Sequence, residues 1–218
     1  MKCCVLCFLI CISFLATAHS RDEIALVIKC DGNAQYRQSE QDWNKLGIGK
    51  RLEDGDEIKT GKGAQVTIVF IDDKSLMKIR EESQLILHGK REEKNIIKKI
   101  GQQLGQLWFK VTNQETQLQV ETPSGIAAVK GTEFYSLVDD LGNTTIIGIS
   151  GIVELFNSLG RVQVGPSQTG KAGKKSIPVV EKSEESMDWG TDSGTLNELE
   201  IEFENENGEK KTLKLQYK

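Results

Sequence analysis

From residue 23 to residue 165, apolar and polar residues alternate in short runs broken by turn-forming residues. That period of two predicts half-buried strands. The runs are Glu23–Cys30, Asn33–Arg37, Ala64–Ile71, Ser75–Glu81, Gln84–His88, Gln106–Val111, Thr116–Glu121, Ile126–Val129, Glu133–Val138, Thr144–Ser150, Ile152–Phe156 and Arg161–Val164. Between them stand Asp31-Gly32, Asp72-Asp73, Asp139-Asp140-Leu141-Gly142-Asn143 and Asn157-Ser158-Leu159-Gly160, residue types that tolerate the backbone of tight reversals. The links from Ile71 to Ser75 and from Val138 to Thr144 are too short for parallel crossovers, so they predict antiparallel hairpins. Val66, Ile68 and Phe70 share one face of their run while Val69 and Ile71 share the other, which predicts burial on both sides. The expected fold is all-β: antiparallel hairpins stacked into a sandwich or solenoid-like domain.

Three segments depart from this rhythm. In Arg91–Leu107, Ile96, Ile97, Ile100, Leu104 and Leu107 fall at helical spacing, yet Gly101 and Gly105 each weaken a helix by up to ~1 kcal/mol, so strand and helix both stand open. Residues 166–197 are rich in Gly, Ser and Lys and read as a polar linker, with a short edge strand at Ile177–Val180 and an anchoring Trp189. The tail, 198–218, reads as a β-hairpin extension. Leu199, Ile201 and Phe203 alternate with Glu198, Glu200, Glu202 and Glu204. After a turn holding Asn205, Asn207 and Gly208 comes a basic strand with Lys211, Lys214 and Lys218 among Leu213, Leu215 and Tyr217. Its apolar face is expected to dock on its own domain or on a partner.

The first residues change the picture of where this fold works. Met1 and Lys2 precede an apolar run from Cys3 to Ala18 that ends in Ala16-Thr17-Ala18, and this reads as a signal peptide, residues 1–18. At about 16 residues the run is shorter than the ~20 a spanning helix needs. After cleavage no stable transmembrane span is expected, and the location is exported, in the periplasm or on the outer cell surface. Four of the five cysteines (Cys3, Cys4, Cys7 and Cys11) lie in the leader, so Cys30 cannot form an internal bridge and is expected to serve as a small buried hydrophobe. The remaining 200 or so residues can bury roughly 70% of their unfolded surface, enough for a core without metal or disulfide. With 21 Gly, 3 Pro and a formal net charge of −4, the composition suits many short reversals and gives no electrostatic pull toward nucleic acid.

Candidate chemistry is sparse. His19 and His88 are the only histidines, and with Cys30 they cannot make a zinc site of ordinary ligand number. His88 lies in a run without a nucleophile motif, and Glu53/Asp54/Asp56, Asp72/Asp73 and Asp139/Asp140 sit at turns and strand ends, where solvated carboxylates are common. Asp188–Gly194 has oxygens and Gly but not the spacing of a calcium loop. Lys98-Lys99 near Trp108 and Phe109 reads as a solvated strand face. No catalytic, cofactor-binding or metal residue is expected.

Two blocks together are similar to a known family. One runs Trp43-x-x-Leu46-x-x-Gly49-x-x-Leu52-x-x-Gly55-Asp56-x-Ile58-x-Thr60-Gly61, then Ala64, Ile68, Phe70, Asp73 and Ser75. The other is Val120-Glu121-Thr122-Pro123, then Ala127-Ala128-Val129-Lys130-Gly131-Thr132-Glu133-Phe134, a hairpin, and Ser150-Gly151-Ile152-Val153. Over about residues 43–156 this resembles the FecR domain, the all-β periplasmic domain of ferric-citrate-type signalling regulators. The resemblance implies an FecR-like domain over 19–165, with Trp43, Gly55, Asp56, Thr60, Gly61, Thr122, Pro123, Gly131, Thr132, Phe134 and Gly151 as signature residues of structural role. With only Met1 and Lys2 ahead of the apolar run, the sigma-factor-binding region of those regulators is not expected here. The reading is an exported, non-enzymatic module that binds or scaffolds an envelope protein or glycan through sheet edges and loops. Its rivals are a periplasmic signalling module acting with a transporter and anti-sigma system, a carboxylate enzyme, and a structural or adhesive surface component. The partner and the oligomeric state are not specified by the sequence.

Overall fold

The computed structural model describes residues 23–92, 95–113 and 117–183, and the backbone of residues 199–204 and 210–215. The proposed leader, Trp189 and the segment Asp188–Gly194 lie outside the described residues. Two units are distinguished, Met1–Ser183 and Glu184–Lys218. All the described regular structure is β. In chain order the body contains β1 (Glu23–Asp31), β2 (Ala34–Gln38), β3 (Asn44–Lys45), β4 (Arg51–Glu53), β5 (Asp56–Thr60), β6 (Gln65–Phe70), β7 (Leu76–Ile79), β8 (Gln84–Glu92), β9 (Asn95–Lys110), β10 (Leu118–Thr122), β11 (Gly125–Val129), β12 (Glu133–Val138), β13 (Thr144–Ser150), β14 (Val153–Asn157), β15 (Gly160–Val164), β16 (Gln168–Ala172) and β17 (Val179–Lys182).

The pairings form one large mixed sheet that does not close. It folds into two layers that share β9. The first layer runs β4–β1–β6–β7–β9–β12–β13–β16–β17. The second runs β3–β2–β5–β8–β9–β10–β11–β14–β15. Their inner faces enclose one core that includes Ile24, Val27, Ile58, Ile68, Phe70, Phe109, Phe134 and Leu155, all fully buried. Small residues let the layers approach. A methyl group on Gly89 of β8 would stand 2.3 Å from Ile24 Cγ2 of β1, and one on Gly170 of β16 would stand 2.4 Å from Val164 Cγ2 of β15. The expected sandwich of hairpins is therefore present, and β6 is buried on both faces as the alternation predicted, with Val69 9% exposed and Thr67 6%.

Three expectations are corrected or decided. First, the described residues of Arg91–Leu107 contain no helix: they fall largely within the long strand β9, whose first part pairs with β8 and β10 and whose second part pairs with β7 and β12. Second, pairing is not purely antiparallel, because Leu118–Glu121 runs parallel to Lys98–Gly101. A parallel return in one sheet needs a long crossover. Here the second half of β9, lying in the other layer, supplies it. Third, the body does not end at residue 165. Residues read as part of a linker form β16, paired to β13, and β17, paired to β16 and overlapping the short edge strand expected at Ile177–Val180. Polar composition concealed β16. Its Thr169 and Ala172 are nevertheless buried, and Gly170 makes room for Val164.

Along β1 the simple alternation also fails. Ile24 and Ala25 are both buried, and the register slips again between Val27 and Lys29, so that Cys30 still packs against the core. Its thiol is half-buried and lies 3.5 Å from the Leu46 carbonyl. Burial, with Asp31 nearby, pushes that thiol up from its ordinary value.

In the second unit, β18 (Leu199–Glu204) pairs antiparallel with β19 (Lys210–Leu215). The register sets Glu200 opposite Lys214 and Glu204 opposite Lys210. The acidic and basic strands of the expected hairpin are thus aligned.

Candidate functional site

Three of the sequence-derived carboxylate sets have distinct fates, and none gathers around a nucleophile. Asp54 lies 3.4 Å from His88 Nδ1 and accepts the Gly89 N–H at 3.1 Å. Asp72 and Asp73, read as solvated turn residues, instead enclose Lys98. Its Nζ lies 2.7 Å from Asp72 Oδ2 and 3.0 Å from Asp73 Oδ2, with the lysine side chain fully buried and both carboxylates 2% exposed. The solvated reading therefore holds only for Lys99, which is half-exposed and pairs with Glu121. Among the described residues no group of three or more His, Cys, Asp or Glu could hold a metal ion.

The third set, Asp139/Asp140, rims a groove. There β9 bends from one layer to the other at Gly105, whose φ is +93°. The bend opens a cavity of about 500 Å³ lined by Glu81, Glu82, Leu104, Gly105, Gln106, Leu137, Val138, Asp139 and Asp140. Leu104, Leu137 and the buried Val138 supply an apolar floor. The four carboxylate residues are exposed. Glu81 accepts the Gly63 N–H at 2.6 Å. Asp139 accepts the Asn143 side-chain and backbone N–H groups, each at 2.8 Å, and these bonds hold its carboxyl below its ordinary value. The Oε1 atom of Gln106 is buried without a hydrogen-bond partner. Leu141, at the tip of the β12–β13 hairpin beside this rim, is 74% exposed. Single-strand patterns could not reveal the groove, because its parts come from a β7–β8 turn, a strand bend and a hairpin end.

The signature residues do not converge on that groove. Trp43 is half-buried between the Arg37 guanidinium, 4.7 Å from its ring, and Lys59 Nζ, 4.0 Å away. Thr60 donates its hydroxyl to Arg80 O at 2.5 Å and accepts the Ser83 N–H at 3.0 Å, while the Gly61 N–H reaches Asn33 O at 2.8 Å. These bonds pin β5 to the chain around it. Thr122 ties its own hairpin through Gly125 and accepts the Thr144 hydroxyl at 2.6 Å. Pro123, without a donor to lose, occupies the β10–β11 turn. Phe134 stacks on Phe109 with centroids 4.9 Å apart. Thr132 is buried and its carbonyl accepts the Val111 N–H at 2.9 Å. Gly55, Gly131 and Gly151 hold turns at φ of +84°, +57° and +75°. A methyl group at Gly151 would meet Thr132 Cγ2 at 2.6 Å.

Asp56 differs from the other signature residues in being a fully buried carboxylate. Its Oδ2 accepts the Glu53 N–H at 2.9 Å, and its Oδ1 has no hydrogen-bond partner. Burial pushes its carboxyl up from the ordinary 3.8, against the pull of the Glu53 N–H and of Lys50. A raised native value means the folded state holds this proton more tightly than the unfolded one. The stability it contributes is fully present below the unfolded value and is lost as pH rises through the folded value. Asp56→Asn keeps an acceptor for the Glu53 N–H and cannot ionise. The variant should therefore gain stability relative to the parent as pH rises from about 4 to about 7 in thermal unfolding. A constant difference across that range would show that Asp56 does not titrate in this way.

Residues 56–154 match the family model described as FecR protein. Over this stretch the chain resembles FecR proteins. The match starts at Asp56 and ends at Glu154, so it contains the groove and every signature residue except Trp43 and Gly55. No curated protein matches the chain. Among solved structures, this fold is similar to that of a candidate anti-sigma factor from Parabacteroides distasonis, known from a 2.50 Å crystal structure, with a TM-score of 0.50 and 15% identity. That match covers 58% of this chain and 59% of the other. A 1.65 Å crystal structure with the same description, again at 15% identity and with the same coverage, gives a TM-score of 0.48. At this identity the likeness speaks to fold alone. No helix among the described residues is long and apolar enough to cross a membrane.

Proposed function

We propose that the chain is an exported signalling module of the bacterial cell envelope, and that it works by binding a partner rather than by catalysis. The observation that carries this reading is the FecR match over residues 56–154. The anti-sigma description of the structurally similar protein supports a regulatory role. The apolar run before Ala18, with its small-x-small ending, supports export. The body offers binding features of two kinds: the groove at the β9 bend, and β17 at the end of its layer, where Val179 is 53% and Val180 40% exposed. An end strand with exposed apolar residues suits strand addition, although Pro178, Glu181 and Lys182 limit indiscriminate pairing.

The test is expression of the full chain with a C-terminal tag, followed by cell fractionation, N-terminal sequencing and crosslinked capture from envelope fractions. Cleavage after about residue 18 and recovery of a defined envelope protein are expected. An unprocessed product in the cytosol, or capture of nothing above the tag control, would refute the reading.

A further inference from the structure

We propose that Lys98 and Asp72 join covalently, the lysine Nζ and the aspartate carboxyl forming an amide that ties the β6–β7 turn to β9, with Asp73 relaying the proton. The three side chains meet in a site closed to solvent. Lys98 Nζ lies 2.7 Å from Asp72 Oδ2 and 3.0 Å from Asp73 Oδ2, the lysine side chain is 0% exposed and both carboxylates are 2% exposed. The Phe70 ring covers the nitrogen, its centre 5.1 Å away. In water an ammonium and a carboxylate stay apart as hydrated ions, and hydrolysis opposes their condensation. Here they are held in contact, and condensation replaces two buried charges by a neutral amide. One ammonium proton passes to Asp72, which leaves a neutral amine and a neutral acid. Nζ then attacks Asp72 Cγ and the N–C bond forms. Asp73 accepts the second proton from Nζ and returns it to the departing hydroxyl, the Cγ–O bond breaks, and one water leaves. Asp73 ends as it began, and no oxidant or cofactor is consumed. The Ile96 N–H, which donates to Asp72 Oδ2 at 2.9 Å, stays on that oxygen as negative charge builds there. Asp72 Oδ1 has no hydrogen-bond partner, so it is the oxygen that leaves. Asp73 is fixed for the relay by the Ser75 N–H and hydroxyl, at 2.9 and 2.8 Å. The link joins the two layers: Asp72 follows β6 of the first, and Lys98 lies in the part of β9 that pairs with β8 and β10 of the second. Until it forms, the three side chains are an ion-paired cluster, and that unlinked state is the reference for their electrostatic energetics.

The test uses the full chain, purified and held folded at neutral pH until its mass is constant, then denatured, reduced and measured by mass spectrometry, with the N terminus fixed by sequencing. A mass below the sequence mass by one water molecule is expected. Tryptic digestion should release a branched peptide joining residues 63–74 to residues 95–99, because the amide blocks cleavage after Lys98. Asp73→Asn leaves Lys98 and Asp72 in place but lacks the carboxylate that takes up the proton. In that variant, with its fold checked by the amide spectrum, linkage should slow about a hundredfold or more. A parent chain at its full sequence mass, or a water loss that maps to an unbranched peptide as an aspartyl imide would, overturns the proposal. Linkage at the parent rate in the folded Asp73→Asn chain overturns the relay assigned to Asp73.

Discussion

Lys98→Met should lower the stability of the body by about 3–5 kcal/mol, measured by urea unfolding at neutral pH. The lysine side chain is fully buried, within 3.0 Å of two carboxylates that are themselves 2% exposed. Its Nζ also lies 5.1 Å from the centre of the Phe70 ring. Methionine fills much of the same volume but leaves two buried carboxylates facing each other without a cation. Part of their charge is held by N–H and O–H donors. Ile96 N donates to Asp72 at 2.9 Å, and the Ser75 N–H and hydroxyl donate to Asp73 at 2.9 and 2.8 Å. Asp72 Oδ1 has no hydrogen-bond partner even in the parent. Combining Lys98→Met with Asp72→Asn and Asp73→Asn removes the buried charge and should restore most of the loss. A single variant within about 1 kcal/mol of the parent would show that the cluster is better hydrated than its burial indicates.

The same lysine shows where the sequence was legible and where it was not. The hairpin of Glu133–Val138 with Thr144–Ser150 could be placed because its first strand alternates cleanly and its link is short. Strand β9 hid its nature by changing phase. Ile96, Lys98, Ile100 and Gln102 all face inward and are at most 1% exposed, but two of the four are polar. Beyond Gly105 the inward positions become Leu107 and Phe109. Polar residues in one half and a slipped phase between the halves left apolar residues at helical spacing. The signal that would have found the buried lysine was strict alternation from Ile96 to Gln102, which sets Lys98 beside Ile96 and Ile100. Gln102 is satisfied in the same manner: it donates to Gly105 O and Ser136 O and accepts the Ser136 hydroxyl at 2.6 Å. The groove was illegible for a different reason. Its acids read as ordinary turn residues until the bend brings three separate segments together.

Gly105→Ala should lower stability by about 2–5 kcal/mol, combining left-handed backbone strain with overpacking. At a φ of +93°, an added Cβ would stand 2.2 Å from Ser83 Oγ, 2.5 Å from Ser83 Cα and 2.6 Å from Ser83 Cβ. A side-chain rotation could move the hydroxyl, but the clash with the main chain of Ser83 can be relieved only by shifting backbone. Ser83 is 2% exposed, donates its N–H to Thr60 Oγ1 at 3.0 Å and accepts the Gln106 N–H at 3.1 Å. Displacing it therefore disturbs both layers where they join, along with the wall of the groove. Gly49→Ala is the internal comparison. Its φ of +83° imposes similar strain, but an added Cβ there would meet nothing within 4 Å, so a loss of only about 1–2 kcal/mol is expected. The difference between the two variants measures the crowding at the bend. Equal losses would mean that Ser83 yields freely and that the corner is held by hydrogen bonding rather than by close packing.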